Sequence, residues 1–254
     1  MRIVRFKTNS NEIHYGWIHQ EKVGLIYGDP FGEYRRLEAT FLLSDLTLLL
    51  PCQPGKIIAV GRNYADHAAE MKSELPSYPL LFLKPPSSLI TNGEPILLPV
   101  QSKKVEHEAE LAIVIGKRSK NLTMDNAKSS IFGYTIANDV TARDLQAMDK
   151  QWTRAKGFDS FCPMGPWIDT DFDPSDAMIS CHVDNALRQM GSTKDMLFKP
   201  EQLLVFISSI MTLEPGDVIL TGTPAGVGPL NDGDVVTVHI DGLGTLVNPV
   251  RRVD

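Results

Sequence analysis

The stretch of sequence that decides the fold is Val105-Glu106-His107-Glu108-Ala109-Glu110-Leu111-Ala112-Ile113-Val114-Ile115. Its second half is a continuous apolar run, which is typical of a strand that enters a hydrophobic core. If the whole stretch is one strand, the period of two places Glu106, Glu108 and Glu110 on one face. Three carboxylates on one face repel each other, so this stretch combines a core strand with concentrated negative charge.

These carboxylates have two interpretations. Either they lie on a solvated strand face, or a cation holds them where the strand enters the core, because an unpaired buried carboxylate is costly. Hard oxygen ligands favour magnesium, manganese or calcium, and magnesium usually takes few carboxylates and keeps positions for water or substrate. Asp139 is the best candidate for a further ligand, since it ends an apolar strand and precedes a helix. The alternative role of Asp139 is to cap that helix.

A second group of candidate residues lies in Gly61-Arg62-Asn63-Tyr64-Ala65-Asp66-His67-Ala68-Ala69-Glu70. On a helix, His67 and Glu70 are three residues apart on the same face. The carboxylate can then orient the imidazole and raise its basicity, as a water-activating base requires. A surface pair at this spacing is the alternative.

Four further side chains each have a functional and a structural interpretation. Lys156 either holds a substrate carboxylate or stabilises an enolate, or it is a solvated loop lysine. Arg62 and Arg143 either pair with an anionic substrate or form structural ion pairs. Thr223 either donates its hydroxyl to a carboxylate or serves the turn before Pro224.

The rest of the sequence predicts a β-rich α+β protein. Short alternating segments up to about residue 50 indicate a small β unit, and Pro51, Pro54 and Gly55 mark its end. We therefore expect an N-terminal subdomain over residues 1–54 and a catalytic domain over residues 55–254. The catalytic part alternates apolar strands with glycine-rich turns, which predicts mixed, mostly antiparallel sheets. Only three stretches have helical patterns: 65–71, 142–150 and 200–211.

Composition excludes several classes of protein. The 254 residues carry 31 Asp and Glu against 25 Lys and Arg, and no basic stripe is visible, so nucleic acid is not an expected partner. No apolar run reaches the 18 residues of a membrane helix, and the N-terminus lacks the apolar segment of a secretory signal. Three widely spaced cysteines, Cys52, Cys162 and Cys181, suit reduced buried thiols in a cytoplasmic protein.

Six segments, taken in order, resemble the fumarylacetoacetate hydrolase family. They are GRNYADH, FLKPPSSL, EHEAEL, NDVTARDLQ, AKGFDSFCPMGP and ILTGTPAGVG, and the resemblance spans about residues 56–248. The branch of small acylpyruvate hydrolases and oxaloacetate decarboxylases is the most similar. The resemblance implies the family's mixed β-sheet roll or sandwich with few helices, and a homodimer.

The resemblance also implies a divalent metal, usually magnesium, held by Glu108, Glu110 and Asp139. Glu106 stands where the family often has histidine, which leaves open whether it supports the site or lies exposed. By the same resemblance, Lys156 would be the active-site lysine, Thr223 the carboxylate-contacting threonine and Arg62 the substrate-binding arginine. Arg143 and Gln146 would lie on the substrate-side helix. His67 and Glu70 would form the dyad of a lid segment.

The function that the resemblance implies is metal-dependent hydrolysis of a C–C bond in an acylpyruvate or related dioxo acid, through an enolate. The substrate would be a small anionic oxo acid. The alternatives are decarboxylation of oxaloacetate, and a 2-hydroxymuconate-type isomerase or decarboxylase in the breakdown of aromatic compounds. A non-catalytic binding protein is the alternative from a different class.

Overall fold

The described part of the chain consists mainly of β-strands. The computed structural model describes residues 1–8 and 10–253. In chain order, the strands are β1 (Arg2–Lys7), β2 (Ile13–His19), β3 (Lys22–Gly28), β4 (Tyr34–Leu42), β5 (Thr47–Leu49), β6 (Ile57–Gly61), β7 (Leu80–Lys84), β8 (Leu89–Ile90), β9 (Ile96–Leu98), β10 (Val105–His107), β11 (Ala109–Ile115), β12 (Ile131–Asn138), β13 (Thr141–Ala142), β14 (Cys162–Asp169), β15 (Met178–Val183), β16 (Ala186–Ser192), β17 (Val218–Leu220), β18 (Gly228–Pro229), β19 (Val235–Ile240) and β20 (Gly244–Arg252).

The helices are short and few. The α-helices are α1 (Ala65–Glu70), α2 (Met124–Ala127), α3 (Arg143–Asp149), α4 (Thr153–Lys156) and α5 (Pro200–Ile210). Single 3-10 turns occupy Leu43–Asp45, Pro86–Ser88, Lys128–Ser130 and Thr193–Asp195. The predicted α+β, β-rich class is confirmed. The three predicted helices are present as α1, α3 and α5, but the sequence did not predict α2 and α4, because four residues are too few to show a helical period.

The described strands form three sheets. The largest has twelve strands, in the order β4-β3-β2-β1-β14-β12-β11-β17-β6-β7, with β5 on β1 and β8 on β14. A five-stranded sheet has the order β16-β15-β19-β20-β9, and a three-stranded sheet has the order β13-β10-β18. Most neighbours are antiparallel, but β17 is parallel to β6, β8 to β14 and β9 to β20. The prediction of mixed, mostly antiparallel sheets is therefore confirmed.

Strand β11 is buried on both faces, which explains its continuous apolar run. Leu111, Ile113 and Ile115 belong to the larger core cluster, which also contains side chains of α5 and of the five-stranded sheet. Ala112 and Val114 point to the opposite face and belong to a second cluster with side chains of β6, β14 and β17. A strand that is covered on both faces needs apolar residues at every position rather than at alternate ones.

The stretch 105–115 is not one strand, which corrects the simplest sequence interpretation. The ladder is interrupted at Glu108, so β10 belongs to the three-stranded sheet and β11 to the twelve-stranded sheet. The side chain of Asn138 causes the break, because its Oδ1 accepts the backbone N–H of Glu108 at 2.9 Å. The backbone N–H of Asp139 in turn donates to the carbonyl oxygen of Glu108 at 2.8 Å.

The N-terminal strands β1 to β5 continue the twelve-stranded sheet. Strand β1 pairs with β14, and Val4, Phe6 and Val23 form a core cluster of their own. The boundary at residue 54 stays a prediction.

Within residues 1–8 and 10–253, no helix combines the length and the apolar character that a membrane crossing requires. Cys52, Cys162 and Cys181 are buried free thiols, as expected from their spacing.

We expect Ile113→Ala to lower the free energy of unfolding by about 2–5 kcal/mol, because it leaves a cavity beside the central strand. Ile113 is completely buried, whereas Ile13 on β2 is 52% exposed. The matched substitution Ile13→Ala should therefore change stability by only about 0.5 kcal/mol. Urea denaturation of both variants measures the difference, and equal losses would contradict the central position of β11.

Candidate active site

Three buried carboxylates meet where β11 begins and β12 ends. The two strands are antiparallel neighbours, with Ala109 opposite Asn138 and Glu110 opposite Ala137, so the end of β12 lies beside the start of β11. Glu108, Glu110 and Asp139 are consequently neighbours in space. Each contributes one carboxylate oxygen to a group whose atoms all lie within 4.8 Å of one another. All three side chains are at least nine-tenths buried, which excludes the solvated strand face for Glu108 and Glu110.

Glu110 is the carboxylate with the least compensation. Its Oε2 accepts the backbone N–H of Gly222 at 2.6 Å, and within the described residues no lysine, arginine or histidine forms an ion pair with it. Burial raises the pKa of Glu110 well above its ordinary value, and the neighbouring charges of Asp139 and Glu108 raise it further. A divalent cation between the three groups would remove this repulsion, and oxygen-only ligands suit magnesium, manganese or calcium.

Two buried lysines balance the other carboxylates. Lys156 Nζ lies 2.8 Å from Glu108 Oε2 and 2.6 Å from Asp139 Oδ2. Lys84 Nζ lies 2.6 Å from Asp139 Oδ1 and donates to the carbonyl oxygen of Lys156 at 2.6 Å. Burial alone would lower the pKa of Lys156, but Asp139 and Glu108 together raise it, so the ammonium stays charged. Lys156 is therefore not a solvated loop lysine.

Asp139 does not cap the helix that follows it. Helix α3 begins at Arg143, its N-cap residue is Ala142, and no side chain caps it. The carboxylate of Asp139 instead points to the two lysines, and the chain between β12 and α3 includes the short strand β13. The capping alternative is therefore excluded.

Arg143 connects two of the glutamates. Its Nη2 donates to Glu108 Oε1 at 2.5 Å, its Nε donates to Glu106 Oε2 at 2.7 Å, and its Nη1 donates to Gln146 Oε1 at 2.6 Å. Glu106 is 4% exposed and also pairs with Lys104 at 3.0 Å. The question that the sequence left open for Glu106 is thereby answered, because it anchors Arg143 rather than lying exposed.

These charges set the protonation of Glu108 and Glu106. Burial alone would raise the pKa of Glu108, but Lys156, Arg143 and His67 hold it well below its ordinary value. Burial likewise opposes ionisation of Glu106, and its bonds to Arg143 and Lys104 nevertheless lower its pKa. Both glutamates are therefore anions at neutral pH.

His67 and Glu70 form a pair at the edge of the same site. His67 Nδ1 lies 3.2 Å from Glu70 Oε2, and the carboxylate also accepts the backbone N–H of Gly226 at 3.2 Å. His67 is only 5% exposed, so the pair is not an ordinary surface pair. Because Glu70 occupies Nδ1, the Nε2 atom of His67 is the one that remains to accept or donate a proton.

A small cavity of about 80 Å³ joins most of the predicted site residues. Nine of the ten line it, and the tenth, Glu70, reaches it through His67. The lining residues among the predictions are Arg62, His67, Glu108, Glu110, Asp139, Arg143, Gln146, Lys156 and Thr223. The apolar wall consists of Val60, Met71, Phe82 and Trp152. The structure thus brings the predicted residues together, while their individual roles stay predictions.

Arg62 follows directly after β6 with its backbone in the left-handed region, at a φ of 58°. Such a conformation is uncommon for a residue with a side chain, and it is found preferentially at functional sites. Arg62 lines the cavity and has no carboxylate within ion-pairing distance among the described residues. Its guanidinium is therefore available to an anion, and the structural ion pair is excluded for Arg62.

Sequence reasoning missed two residues that support the site. Lys84 ends the apolar strand β7 and is fully buried. Because a buried charge needs a partner of opposite charge, a lysine at the end of an apolar strand indicates an internal ion pair. Gln189 is also completely buried, and its side chain binds segments that adjoin Glu108 and Thr223. Its neighbours in the sequence gave no signal, since the residues around it on β16 are largely exposed.

Comparisons with known proteins give matches over both parts of the chain. Residues 56–251 match the family described as fumarylacetoacetate (FAA) hydrolase C-terminal, and residues 1–51 match the family described as Rv2993c-like, N-terminal. A mitochondrial oxaloacetate decarboxylase of Dictyostelium discoideum is 47% identical over 197 residues, which are 75% of this chain and 90% of that protein.

Two solved structures resemble the whole chain. The 5-carboxymethyl-2-hydroxymuconate delta-isomerase of Mycobacterium smegmatis has a TM-score of 0.91 and 44% identity, with 100% of both chains covered. The fumarylacetoacetate hydrolase of Exiguobacterium antarcticum has a TM-score of 0.87 and 39% identity, again with 100% of both chains covered. These relatives are named for a decarboxylase, an isomerase and a hydrolase. The chain belongs to the fumarylacetoacetate hydrolase family of enzymes.

Proposed function

We propose that this enzyme forms and protonates the enolate of a small 2-oxo dicarboxylic acid of the oxaloacetate kind, with a magnesium ion held by Glu108, Glu110 and Asp139. The observation that carries this proposal is the composition of the cavity wall. Three acidic groups and the cationic side chains of Arg62, Arg143 and Lys156 line one small cavity. The relative named oxaloacetate decarboxylase supports the same choice of substrate.

The three carboxylates fit a divalent cation on their own chemistry. Their donor atoms are all oxygens, and Glu110 has no cationic partner among the described residues. A cation would neutralise two of the three negative charges, and Lys84, Lys156 and Arg143 would then leave the site attractive to an anion. When bound, a divalent cation supplies Lewis-acid polarisation of the 2-oxo group and stabilises the charge that develops there.

The chain's own residues bind and orient the substrate. Arg62 and Arg143 are the candidates to receive carboxylates, since both residues line the cavity and Glu106 fixes the side chain of Arg143. Lys156 adds a buried positive charge where negative charge develops on the oxo group. Phe82 and Trp152 add an apolar surface to the cavity wall, and the ring centroid of Phe82 lies 5.0 Å from Lys156 Nζ.

The proton transfers fall to His67 and Glu70. In decarboxylation, the C–C bond to the 3-carboxylate breaks, carbon dioxide leaves, and the electron pair stays on the enolate until a proton is delivered to carbon. His67 can deliver or remove such a proton through Nε2, while Glu70 orients the ring through Nδ1. Tautomerisation removes a proton from C3 of the keto form and delivers one to the oxo oxygen, or the reverse, and His67 can exchange the carbon-bound proton without loss of carbon dioxide.

Hydrolysis of a C–C bond in acylpyruvates is the second candidate, and the His67–Glu70 pair is the observation that favours it. A buried imidazole oriented by a carboxylate can activate water to attack a distal carbonyl, after which the C–C bond breaks to release an enolate. The relative named fumarylacetoacetate hydrolase supports this reaction. A cytoplasmic homodimer, and manganese or calcium in place of magnesium, stay predictions from the sequence.

Glu110→Gln should weaken magnesium binding strongly without lowering the stability of the fold. We expect the dissociation constant for magnesium to rise at least about 100-fold, because even the loss of an outer partner of a metal ligand costs about 10–100-fold. In chelator, the same variant should melt no lower than the wild type, since the substitution removes repulsion from Asp139 and Glu108. Isothermal titration calorimetry and thermal denaturation measure the two effects.

The control for this prediction is Glu214→Gln. Glu214 is half-exposed and pairs with Arg118 on the surface, so its loss should leave magnesium affinity unchanged. Turnover of oxaloacetate should disappear in chelator and return with magnesium. Undiminished turnover by the wild type after exhaustive chelation would contradict the proposed cation.

Glu106→Gln should raise the KM for oxaloacetate by about tenfold with a smaller change in kcat. The substitution weakens the charged hydrogen bond that fixes Arg143, a bond of the kind worth about 1.5–3 kcal/mol. Lys104→Met is the matched control, because it removes the other partner of Glu106, a lysine that is 56% exposed. If both variants raise KM equally in steady-state assays, Glu106 does not act through Arg143.

His67→Ala should distinguish the two candidate reactions. We expect hydrolysis of acylpyruvate to fall by about 10²–10⁴, the range for loss of a general base, and decarboxylation of oxaloacetate to fall less because it needs no attacking water. Glu70→Gln should change both rates in the same direction by a smaller factor. The measurement is kcat/KM on both substrates for each variant, and equal losses in the two reactions count against water activation.

A further inference from the structure

We infer that Gln189 is a positioning residue that holds the two residues on either side of Glu108, the imidazole of His107 and the backbone of Ala109, and ties them to the loop that contains Thr223. Gln189 lies on β16, in the five-stranded sheet, and its side chain is completely buried. Its amide makes four hydrogen bonds, and each of them reaches a segment that adjoins the proposed cation site. The role assigned to Gln189 deepens the proposed function and rests on it.

Two of these bonds hold the residues that flank Glu108. Gln189 Oε1 accepts from His107 Nδ1 at 2.8 Å and from the backbone N–H of Ala109 at 3.0 Å. The other two bonds hold the loop, because Nε2 donates to Thr223 Oγ1 at 2.7 Å and to the carbonyl oxygen of Pro224 at 2.8 Å.

The orientation of this amide is fixed by its partners. The backbone N–H of Ala109 can only donate, and the carbonyl of Pro224 can only accept, so Oε1 must face the first and Nε2 the second. A flipped amide would leave both buried groups without a bond, which is costly. Gln189 therefore holds the two segments at one defined separation.

The bonds are needed because the sheet ends at this point. Strand β17 pairs with β11 only as far as Leu220 opposite Ala112, and the chain then turns away. Beyond Thr221, which still bonds Leu111, no strand among the described residues pairs with the outer edge of Ala109. Side chains take the place of a strand: Gln189 Oε1 accepts the N–H of Ala109, and Thr223 Oγ1 donates to its carbonyl oxygen at 2.8 Å.

This arrangement also defines what Thr223 can do. Its hydroxyl proton goes to the carbonyl of Ala109, and one oxygen lone pair accepts from Gln189. The hydroxyl is thus committed within the protein, so Gln189 and Thr223 act together as a bracket around Ala109. The contact between Thr223 and a substrate carboxylate, which the family resemblance implies, stays a prediction.

The loop is seated directly on β16, which gives the bracket a rigid base. Gly226 has a φ of +100°, and a Cβ atom there would lie 2.1 Å from the carbonyl oxygen of Arg188. Only glycine allows this approach. The same Gly226 donates its N–H to Glu70, so the loop that Gln189 holds also contacts the proton-transfer pair.

Gln189→Leu tests the role of the amide, because leucine keeps the approximate volume and removes all four bonds. We expect the magnesium dissociation constant to rise about 10–100-fold, as for other residues that orient metal ligands. In metal-free protein, we expect amide hydrogen exchange in a peptide covering residues 105–112 to accelerate at least about tenfold. Isothermal titration calorimetry and exchange mass spectrometry measure the two effects well below the melting temperature.

Met190→Leu is the matched control, since Met190 is the next residue on β16 and is 62% exposed. It should change neither magnesium affinity nor exchange. If Gln189→Leu does not fold, Thr223→Val removes the hydroxyl from the other side of the bracket and should produce the same two changes at smaller size.

The two measurements separate this inference from the proposed function. A wild-type protein that binds no magnesium refutes the proposed cation, and the exchange measurement on metal-free protein then decides the bracket by itself. The inference is overturned if Gln189→Leu, or Thr223→Val in its place, leaves amide hydrogen exchange over residues 105–112 unchanged. A lowered melting temperature with wild-type exchange and magnesium affinity would show a merely structural residue and overturn it equally.

Discussion

The structure depends on three carboxylates that are buried together against their mutual repulsion. Glu108, Glu110 and Asp139 meet because β11 and β12 are antiparallel and the first begins where the second ends. Burying such charges is tolerable only when other charges compensate them. The surroundings of the site follow from this requirement, because Lys84, Lys156 and Arg143 are buried as ion-pair partners of Asp139 and Glu108. Glu110 forms no such ion pair among the described residues.

The compensating groups are themselves held by further side chains. Glu106 fixes Arg143, Asp139 fixes the ammonium of Lys156, and Lys84 donates to the carbonyl oxygen of Lys156. Asn138 and Gln189 hold the backbone around Glu108. The side chains concerned come from β7, β10, β12, β16, α3 and α4, so all three sheets contribute to one small cavity. A site built from so many elements is rigid as a consequence of the fold, which is what a cation with strict geometric demands requires.

The sequence predicts the local features well and the long-range ones poorly. The apolar run 111–115 correctly indicated a buried strand, and the acidic pattern with Asp139 indicated the three carboxylates. The interruption at Glu108 escaped prediction because it depends on the side chain of Asn138, 30 residues away. Gln189 was missed for the same reason, since the backbone that it holds lies 80 residues earlier. Lys84 lies in a segment that resembles the family, and its place at the end of an apolar strand indicated a buried lysine that needs an anionic partner.

The position of Arg143 and Lys156 has a consequence for how ligands of opposite charge affect each other. Both cations bind the carboxylate of Glu108, so they are not fully available to an anion while Glu108 remains their counter-charge. Any ligand that supplies positive charge to Glu108 strengthens the attraction of both side chains for an anion. Thermodynamic linkage requires the converse by the same factor, so the anion tightens the hold on the positive ligand. Two ligands that each bind weakly alone would in this way occupy the cavity as a cooperative pair.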